Sequence, residues 1–283
     1  MKRKKVNKVV FVLILILIII FLLSIFAPII SPYKFDTQIR GEELQGSSIK
    51  HILGTDSLGR DMFIRLMYAT RISLLIGIVA SFVNMVIGTI YGGISGILGG
   101  KVDNIMMRIV DVFISIPQII YVIFVIILCR VFFSGLHDEI KDVMSVLIAI
   151  GVTYWLKTAR VVRAEVLNIK EQDFVKYAIV IGSSKVRILL KHIIPNSIQT
   201  IMAITILQIP TAIFTEAFLS FIGIGINPPI PSWGSLIYEE VGNIYSQPQP
   251  VIYTSILVIS IMFLISVLGE YIKNHISKNN ISV

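Results

Sequence analysis

The chain has few residues whose types and spacing could support catalysis, and its nearest approach to a phosphate-binding loop is incomplete. A P-loop has the pattern G-x-x-x-x-G-K followed by Ser or Thr. Residues 99–101 have the sequence GGK, which supplies the second glycine and the lysine of this pattern. Val102 occupies the place of the hydroxyl that would hold magnesium, and Ser95 occupies the place of the first glycine. We therefore predict no nucleotide site of this type and no catalytic residues.

The residues that could bind a metal ion are too scattered to form a recognisable site. The histidines are His51, His137, His192 and His275, mostly in predicted loops, and the single cysteine, Cys129, lies in an apolar run. No HExxH motif, cysteine pair or Ser-His-Asp arrangement is present. The sequence therefore predicts no metal site and no cofactor, and the loop histidines, His51 among them, are expected to be solvated.

The remaining candidates are polar side chains inside apolar runs. Such residues are functional candidates when the run crosses a membrane. Glu216, in IPTAIFTEAFLSF, could contact a substrate or be held by a neighbouring helix. Gln208 lies beside Pro210 and could mark a helix bend or only shape the packing. Asp111 follows Arg108 by three residues, so we expect these two to form a local ion pair.

The elements that carry these residues are predicted to be membrane helices. The chain is 55% hydrophobic and 15% charged, with a mean hydropathy of +0.85, whereas soluble domains are about 25% charged. A helix needs about 20 apolar residues to cross a bilayer. Suitable runs occur at 9–30, 72–98, 109–133, 143–160, 198–224 and 251–272. Because no barrel-like alternation is visible, we predict an all-α polytopic membrane protein with six transmembrane helices.

The first apolar run could also belong to a cleavable secretory signal, because it follows the basic sequence MKRKK. The apolar part of such a signal is about 7–15 residues long and ends in a small-residue cleavage site. Here the run, Val9–Ile30, is longer, and Pro28 and Pro32 occupy the region where cleavage is needed. The sequence therefore favours a retained anchor helix.

Basic residues predict the orientation of the helices. If the N-terminus is cytoplasmic, 17 of the 25 Lys and Arg residues fall in inner segments, as membrane proteins prefer. We therefore assign the net charge of +8 to membrane orientation rather than to nucleic acid. The predicted segments are a cytoplasmic N-terminus (1–8), the first helix (9–30), an external segment (31–71), a five-helix core (72–272) and a cytoplasmic tail (273–283).

The core contains a basic cytoplasmic loop, about 163–196, whose first half has the pattern of a short amphipathic helix. An apolar stripe recurs at i, i+3, i+4 and i+7. Its members are Phe174, Tyr177, Ala178 and Ile181. Asp173 is the predicted N-cap, and Gly182 is the predicted left-handed stop.

The second half of the loop predicts another short helix, over about residues 185–193. Ser183 or Ser184 would cap it, and Pro195-Asn196 would end it before the fifth span. Its predicted apolar side is formed by Val186, Leu189, Leu190 and Ile193. Two such helices make an elbow, whose apolar face must be buried in lipid headgroups, against the protein's own helices or in the groove of a partner.

The elbow resembles the coupling-helix signature, or EAA loop, of ABC-importer permeases. The matching pattern is D-F-V-x-x-A-x-x-x-G-x-x-x-x-x-I-L-x-x-H-I-x-P-N. It is carried by Asp173, Phe174, Val175, Ala178, Gly182, Ile188, Leu189, His192, Ile193, Pro195 and Asn196. Lys176-Tyr177 replaces the family's usual Glu-Ala pair, so an ion pair between that glutamate and an ATPase is not supported here.

Three further segments are similar to the second-position, DppC/OppC-like subunits of the dipeptide/oligopeptide/nickel permease family. They are HILGTDSLGRDMFIRLMYATRISL (51–74), DNIMMRIVDVFISIP (103–117) and EAFLSFIGIGINPPIPSWGSLI (216–237). The similarity runs in order over most of residues 50–240 and becomes loose beyond them. The resemblance implies the type I ABC importer permease fold.

The resemblance also implies a set of partners and of coupling residues. In that family the elbow docks on a separate ATPase subunit, and the residues implied in this coupling are Asp173, Phe174, Lys176, Tyr177, Ala178, Ile181, Gly182 and Pro195. The implied partners are a second homologous permease, two ATPase subunits, an external solute-binding protein and the lipid bilayer. The implied location is the cell (plasma) membrane, with both termini in the cytoplasm.

Other transport functions remain open at this stage. Di- and oligopeptides are the favoured substrates, but nickel and other small solutes share the architecture. An ion-coupled secondary transporter would need ionisable residues in its spans and commonly has inverted repeats. The chain offers one clear mid-span acid, Glu216, and no visible repeat. An exporter is the remaining alternative, and the resemblance to importers argues against it.

Overall fold

The computed structural model describes the backbone of residues 8–280 and the side chains of residues 10–274. Residues 1–7 of the predicted cytoplasmic N-terminus (1–8) and residues 281–283 of the predicted cytoplasmic tail (273–283) lie outside the described residues. The helices are α1 (Lys8–Ile30), α2 (Met62–Leu98), α3 (Gly100–Ser115), α4 (Gln118–Phe132), α5 (Asp138–Thr153), α6 (Trp155–Lys170), α7 (Asp173–Val180), α8 (Lys185–Ile188), α9 (Ile194–Phe221), α10 (Trp233–Glu240) and α11 (Gln249–Asn280). A π-turn (Leu189–Ile193) joins α8 to α9. The one extended pairing in the described chain is a bridge between Thr55 and Asp61, so the predicted all-α fold is confirmed.

Five helical stretches of the described chain are long and apolar enough to cross a membrane. They are Val10–Ile30, Met62–Leu98, Asp138–Lys170, Lys185–Phe221 and Gln249–Asn274. The bent pair α3–α4 makes a sixth if it is counted as one span. The second stretch begins at Met62 because the Asp61 carboxylate caps it by accepting from the Ile64 N–H. Residues 62–71, predicted to be external loop, are therefore the first turns of this spanning helix.

The third predicted span is broken. Its apolar run suggested one helix over 109–133, but α3 and α4 meet at 93°. The break follows from Pro117, which lacks an N–H and disfavours helical backbone at the residue before it. Ile116 is accordingly extended (φ −89°, ψ 136°). α4 alone is 15 residues long, or about 22 Å, which is less than the hydrocarbon thickness of about 30 Å.

The small residues of α2 allow α6 to pack directly on its backbone. Gly88, Gly92 and Gly96 are spaced four residues apart on one side of α2. A Cβ added to Gly92 would lie 2.3 Å from the carbonyl oxygen of Ala159, and one added to Gly96 would lie 2.7 Å from Val166 Cγ1. These glycines therefore permit close contact between the two helices, and this contact is made inside the chain.

Candidate functional site

The elbow lies at the end of α2 that is farther from Met62, and a buried cluster fixes it there. Residues of α2, α6, α7, the α8 region and α9 form this cluster; they include Ile97, Val166, Val175, Ile188 and Ile201. α7 begins after a short turn at Glu171–Gln172. Its N-cap is Gln172, which makes no side-chain capping bond, so the prediction that Asp173 is the N-cap is wrong. Asp173 instead lies in the first turn, where its carboxylate interacts favourably with the positive end of the helix dipole.

The predicted apolar stripe of α7 is divided between two faces. Val175 and Ala178 are buried in the cluster, with exposed fractions of 0% and 5%. Tyr177 and Ile181 are 71% and 80% exposed, so the prediction of one apolar stripe facing a single surface is wrong. The reason is that α7 lies against α6, whose Val166 and Ile169 belong to the same cluster.

The other face of α7 presents a compact apolar surface, which we call the docking face. It consists of Phe174, Tyr177, Val180 and Ile181, all exposed. Exposed apolar patches of this kind mark interaction surfaces. Lys176 lies beside the docking face, and its Nζ is 3.7 Å from a Glu171 carboxylate oxygen.

The elbow turns at Gly182, whose φ of +82° is in the left-handed region. The Gly182 N–H donates to the Ile179 carbonyl at 2.9 Å, and the Ser183 N–H donates to the Ala178 carbonyl at 3.0 Å. These two bonds make a Schellman motif, so the predicted left-handed stop is confirmed. A Cβ at Gly182 would meet no atom within 4 Å, which leaves backbone strain as the constraint on this residue.

The second arm of the elbow continues into the following span. The Ser184 side chain caps α8 by accepting from the Arg187 N–H at 3.3 Å. Of the two predicted caps, Ser183 and Ser184, the second is therefore the one used. The helix then runs through Pro195 without ending, so the predicted stop at Pro195-Asn196 is wrong. Pro195 has no N–H to donate to the preceding turn. The π-turn lies directly before it, and there the Ile194 N–H donates to the Leu189 carbonyl, five residues back.

The buried side of this second arm also differs from the prediction. Ile188, Leu189 and Ile193 are buried, whereas Val186 and Leu190 are exposed. Leu189 packs close to Gly93 of α2. The two exposed residues therefore extend the apolar surface of the elbow beyond the docking face.

Ion pairs link α6, which leads into the elbow, to α3. The Arg163 Nε and Nη2 atoms donate to the two carboxylate oxygens of Asp103, both at 2.6 Å. Arg160 pairs with Asp111. The prediction that Asp111 pairs with Arg108 is wrong, because α6 brings a cation from a distant part of the chain to this carboxylate.

The two polar residues predicted inside the fifth span both lie between helices. Glu216 is fully buried and accepts from the Ser73 hydroxyl at 2.7 Å and from the Ser220 hydroxyl at 2.9 Å. Gln208 Nε2 donates to the Thr158 hydroxyl at 2.7 Å. The Gln208 carbonyl oxygen has no hydrogen-bond partner in the described chain. Both side chains thus connect α9 to neighbouring helices.

At the opposite end of the bundle, His51 is fully buried rather than solvated, so that prediction is wrong. Its Nδ1 lies 2.8 Å from Asp61 Oδ2, and its Nε2 lies 3.0 Å from Glu42 Oε2. The Tyr33 ring lies 4.9 Å from the imidazole, centroid to centroid. His51 therefore ties the 31–61 segment to the cap of α2.

Beside His51 lies a buried ionic network that the sequence analysis missed. Asp56 Oδ2 accepts from Arg60 Nε and from Arg65 Nη1, both at 2.6 Å. Both arginines also donate to Glu239 of α10. We call these four residues the outer clasp. The sequence signal for it is Arg65 inside the apolar stretch MFIRLMY, since a buried arginine requires partners.

Glu240 borders the outer clasp and is fully buried. Neither of its carboxylate oxygens has a hydrogen-bond partner in the described chain. Burial raises the pKa of Glu240 and the nearby Asp56 carboxylate raises it further, whereas the Arg65 cation opposes the shift. Within the described residues, no group of three or more His, Cys, Asp or Glu side chains is placed to hold a metal ion.

Comparisons with known proteins agree with this architecture. Residues 85–279 match the family described as "Binding-protein-dependent transport system inner membrane component", and residues 1–46 match the "N-terminal TM domain of oligopeptide transport permease C". The oligopeptide transport system permease protein OppC of Bacillus subtilis is 35% identical, over 97% of this chain and 87% of the relative. The dipeptide transport system permease protein DppC of the same organism is 36% identical, over 95% and 81%.

The fold resembles that of a chain in a solved structure of the MetNI methionine ABC transporter in an inward-facing conformation. The TM-score is 0.63 at 20% identity, and the match covers 76% of this chain and 97% of the other. At that identity the similarity concerns the fold, and it agrees with the predicted type I importer fold.

Proposed function

The chain belongs to the family of binding-protein-dependent transport system inner membrane components, and from this premise we propose that it is the permease subunit of an ABC importer for di- and oligopeptides. The peptide class is supported by relatives named as oligopeptide and dipeptide permeases, which match over nearly the whole chain. In this proposal the chain forms half of the pathway, and a second homologous permease forms the other half.

The docking face is the observation that carries the coupling part of the proposal. An apolar surface on a helix that is held by its own buried residues suits the groove of a partner protein. The chain contains no complete P-loop, so separate ATPase subunits would supply the energy. Two such subunits, one under each permease, are the proposed partners at this face.

The distribution of charge supports an elbow in the cytoplasm, with both termini on the same side. Arg163, Lys170, Lys176, Lys185 and Arg187 all lie in or beside the elbow, as expected of an inner segment. The outer clasp then faces the outside of the plasma membrane, where a solute-binding protein would deliver the peptide.

Movement would pass from the elbow to the spans through packed contacts. Because Val175 and Ala178 share a buried cluster with α6, displacement of the docking face by the closing ATPases would move α7 and α6 together. The Arg163–Asp103 ion pair would carry that displacement to the first turn of α3, the helix that leads into the break in the third span. Inward-open and outward-open states would then be favoured by different partners.

The test uses the complex purified with its ATPase subunits. We expect Tyr177→Ala to weaken ATPase binding about tenfold or more, as loss of a central aromatic anchor does. Tyr245→Ala is the control, because Tyr245 is fully exposed and distant from the elbow. Equal ATPase binding by both variants, or uphill uptake driven by an ion gradient without any ATPase, would contradict the proposal.

A further inference from the structure

The break between α3 and α4 opens a cavity that the proposed coupling does not use. Its volume is about 340 Å³. The polar residues that line it are Ser115, Gln118, Tyr121, Tyr154 and Lys157. No carboxylate is among the lining residues, so Lys157 gives the cavity a positive charge.

Lys157 differs from the next cations of α6. Arg160 and Arg163 are each paired with a carboxylate of α3. In the described chain the Lys157 ammonium group makes neither an ion pair nor a hydrogen bond. It lies 13 residues before Lys170, the last residue of α6, which is about 20 Å along the helix. Lys157 therefore lies on the Asp138–Lys170 helical stretch rather than at the tip of the elbow, and its side chain is exposed.

Two other polar groups of the cavity also lack protein partners. Within residues 10–274, the side-chain amide of Gln118 and the hydroxyl of Tyr121 make no hydrogen bond. The Tyr154 hydroxyl, by contrast, is bonded to Thr215. Unpaired polar groups in spanning helices face water or a ligand rather than lipid.

The geometry of the break adds to the positive potential. α4 begins at Gln118 without a side-chain cap, so its first N–H groups and the positive end of its dipole lie beside the cavity. Discontinuous helices in transporters commonly present such ends to anionic groups of a substrate. A cavity of about 300 Å³ is at the small end of ligand sites, so it would hold one end of a peptide.

We infer that this cavity is a pathway subsite for the C-terminal carboxylate of a transported peptide. The Lys157 ammonium pairs with the carboxylate, and the Gln118 amide and Tyr121 hydroxyl bond the last peptide group. This inference rests on the proposed function, which it extends by assigning a chemical specificity to this chain itself.

The experiment uses the complete transporter in proteoliposomes, with saturating binding protein outside. Uptake is measured for one tripeptide as the free acid and as its C-terminal amide. Because every variant is assayed with the same binding protein, its own preference cancels when the ratio of free-acid to amide uptake is compared between variants. The variants are Lys157→Gln and Lys157→Arg, and Lys273→Gln is the control because Lys273 is an exposed lysine of α11 outside the cavity.

We expect Lys157→Gln to lower kcat/KM for the free acid about tenfold more than for the amide, as loss of one hydrogen bond between charged groups does. Lys157→Arg should retain most of the preference, and Lys273→Gln should retain all of it. An equal loss for both peptides in assembled complexes would overturn the subsite. So would a loss that disappears when anionic lipids are omitted, because the anion would then be a lipid headgroup. Absence of peptide uptake by the unmodified transporter would instead overturn the proposed function, and this subsite with it.

Discussion

Arg65, in the first turn of α2, donates from Nη2 to Glu239 of α10 at 2.8 Å, although 174 residues separate the two in the chain. Asp56 binds the other side of the same guanidinium. The outer clasp therefore fastens the 31–61 segment to α10, which packs on α9 and α11. In the proposed importer this makes the outer surface and the outer part of the pathway one mechanical unit.

The outer clasp should be a major contributor to stability. Asp56→Asn removes the carboxylate shared by two buried arginines, and breaking a buried pair costs about 3–5 kcal/mol. Unfolding in detergent should show this loss. The matched control is Asp138→Asn, because Asp138 forms an exposed pair with Lys141 whose removal should cost no more than about 1 kcal/mol. Equal stabilities of the two variants would contradict the assignment.

Glu240 should make stability fall as the pH rises. Its pKa is raised above the ordinary value of 4.5, so the folded protein retains a proton that the unfolded chain releases. The contribution is therefore complete below the unfolded pKa and is lost as the pH rises through the raised folded pKa. Glu240→Gln resembles the protonated form, and we expect it to be at least as stable as the parent at neutral pH and to lack this part of the dependence.

The measurement for Glu240 is the unfolding midpoint of both proteins across a pH series. Glu139→Gln provides the control, since Glu139 is an exposed glutamate. Parallel profiles for Glu240→Gln and the parent would show that the raised pKa has no consequence for folding.

Glu216 should act in packing rather than in substrate binding. Its two oxygens accept from Ser73 and Ser220, and the Ser73 hydroxyl in turn accepts from the Trp233 N–H. The amide nitrogen of Glu216→Gln would face one of these donors, with an expected loss of about 1–3 kcal/mol. KM for the peptide should remain unchanged, as it should in Glu270→Gln, an exposed glutamate of α11. A raised KM at normal stability would indicate substrate contact instead.

Gly182 should be essential for coupling although it has free space around it. A β-branched residue at φ +82° is strained by roughly 1–2 kcal/mol, and we expect Gly182→Val to reshape the elbow. ATP hydrolysed per peptide imported should then rise in an otherwise assembled complex. Gly182→Asn should retain more coupling, because Asn tolerates the left-handed region. Gly135→Val is the control, as Gly135 also has open space but no positive φ. Normal coupling in Gly182→Val would refute the proposed lever at this residue.

Local properties of the chain were sufficient to predict the class of structure. An apolar run longer than a bilayer is thick must form a helix, because no water is present to bond its backbone. That requirement depends on one segment of the chain alone. The left-handed turn at Gly182 is equally local, because it depends on neighbouring residues and on the lack of a Cβ. These features could be derived before any tertiary contact was known.

The tertiary structure decided which side chains face which neighbour. The pattern of α7 allowed Tyr177 to be buried, but the position of α6 buries Val175 instead. His51 met two carboxylates, and Asp111 met Arg160 rather than Arg108. Such outcomes depend on helix crossings between residues far apart in sequence, and periodicity contains no information about those crossings. For the same reason the cavity became visible only in the tertiary structure, which brings Gln118 and Tyr121 of α4 and Lys157 of α6 to its lining.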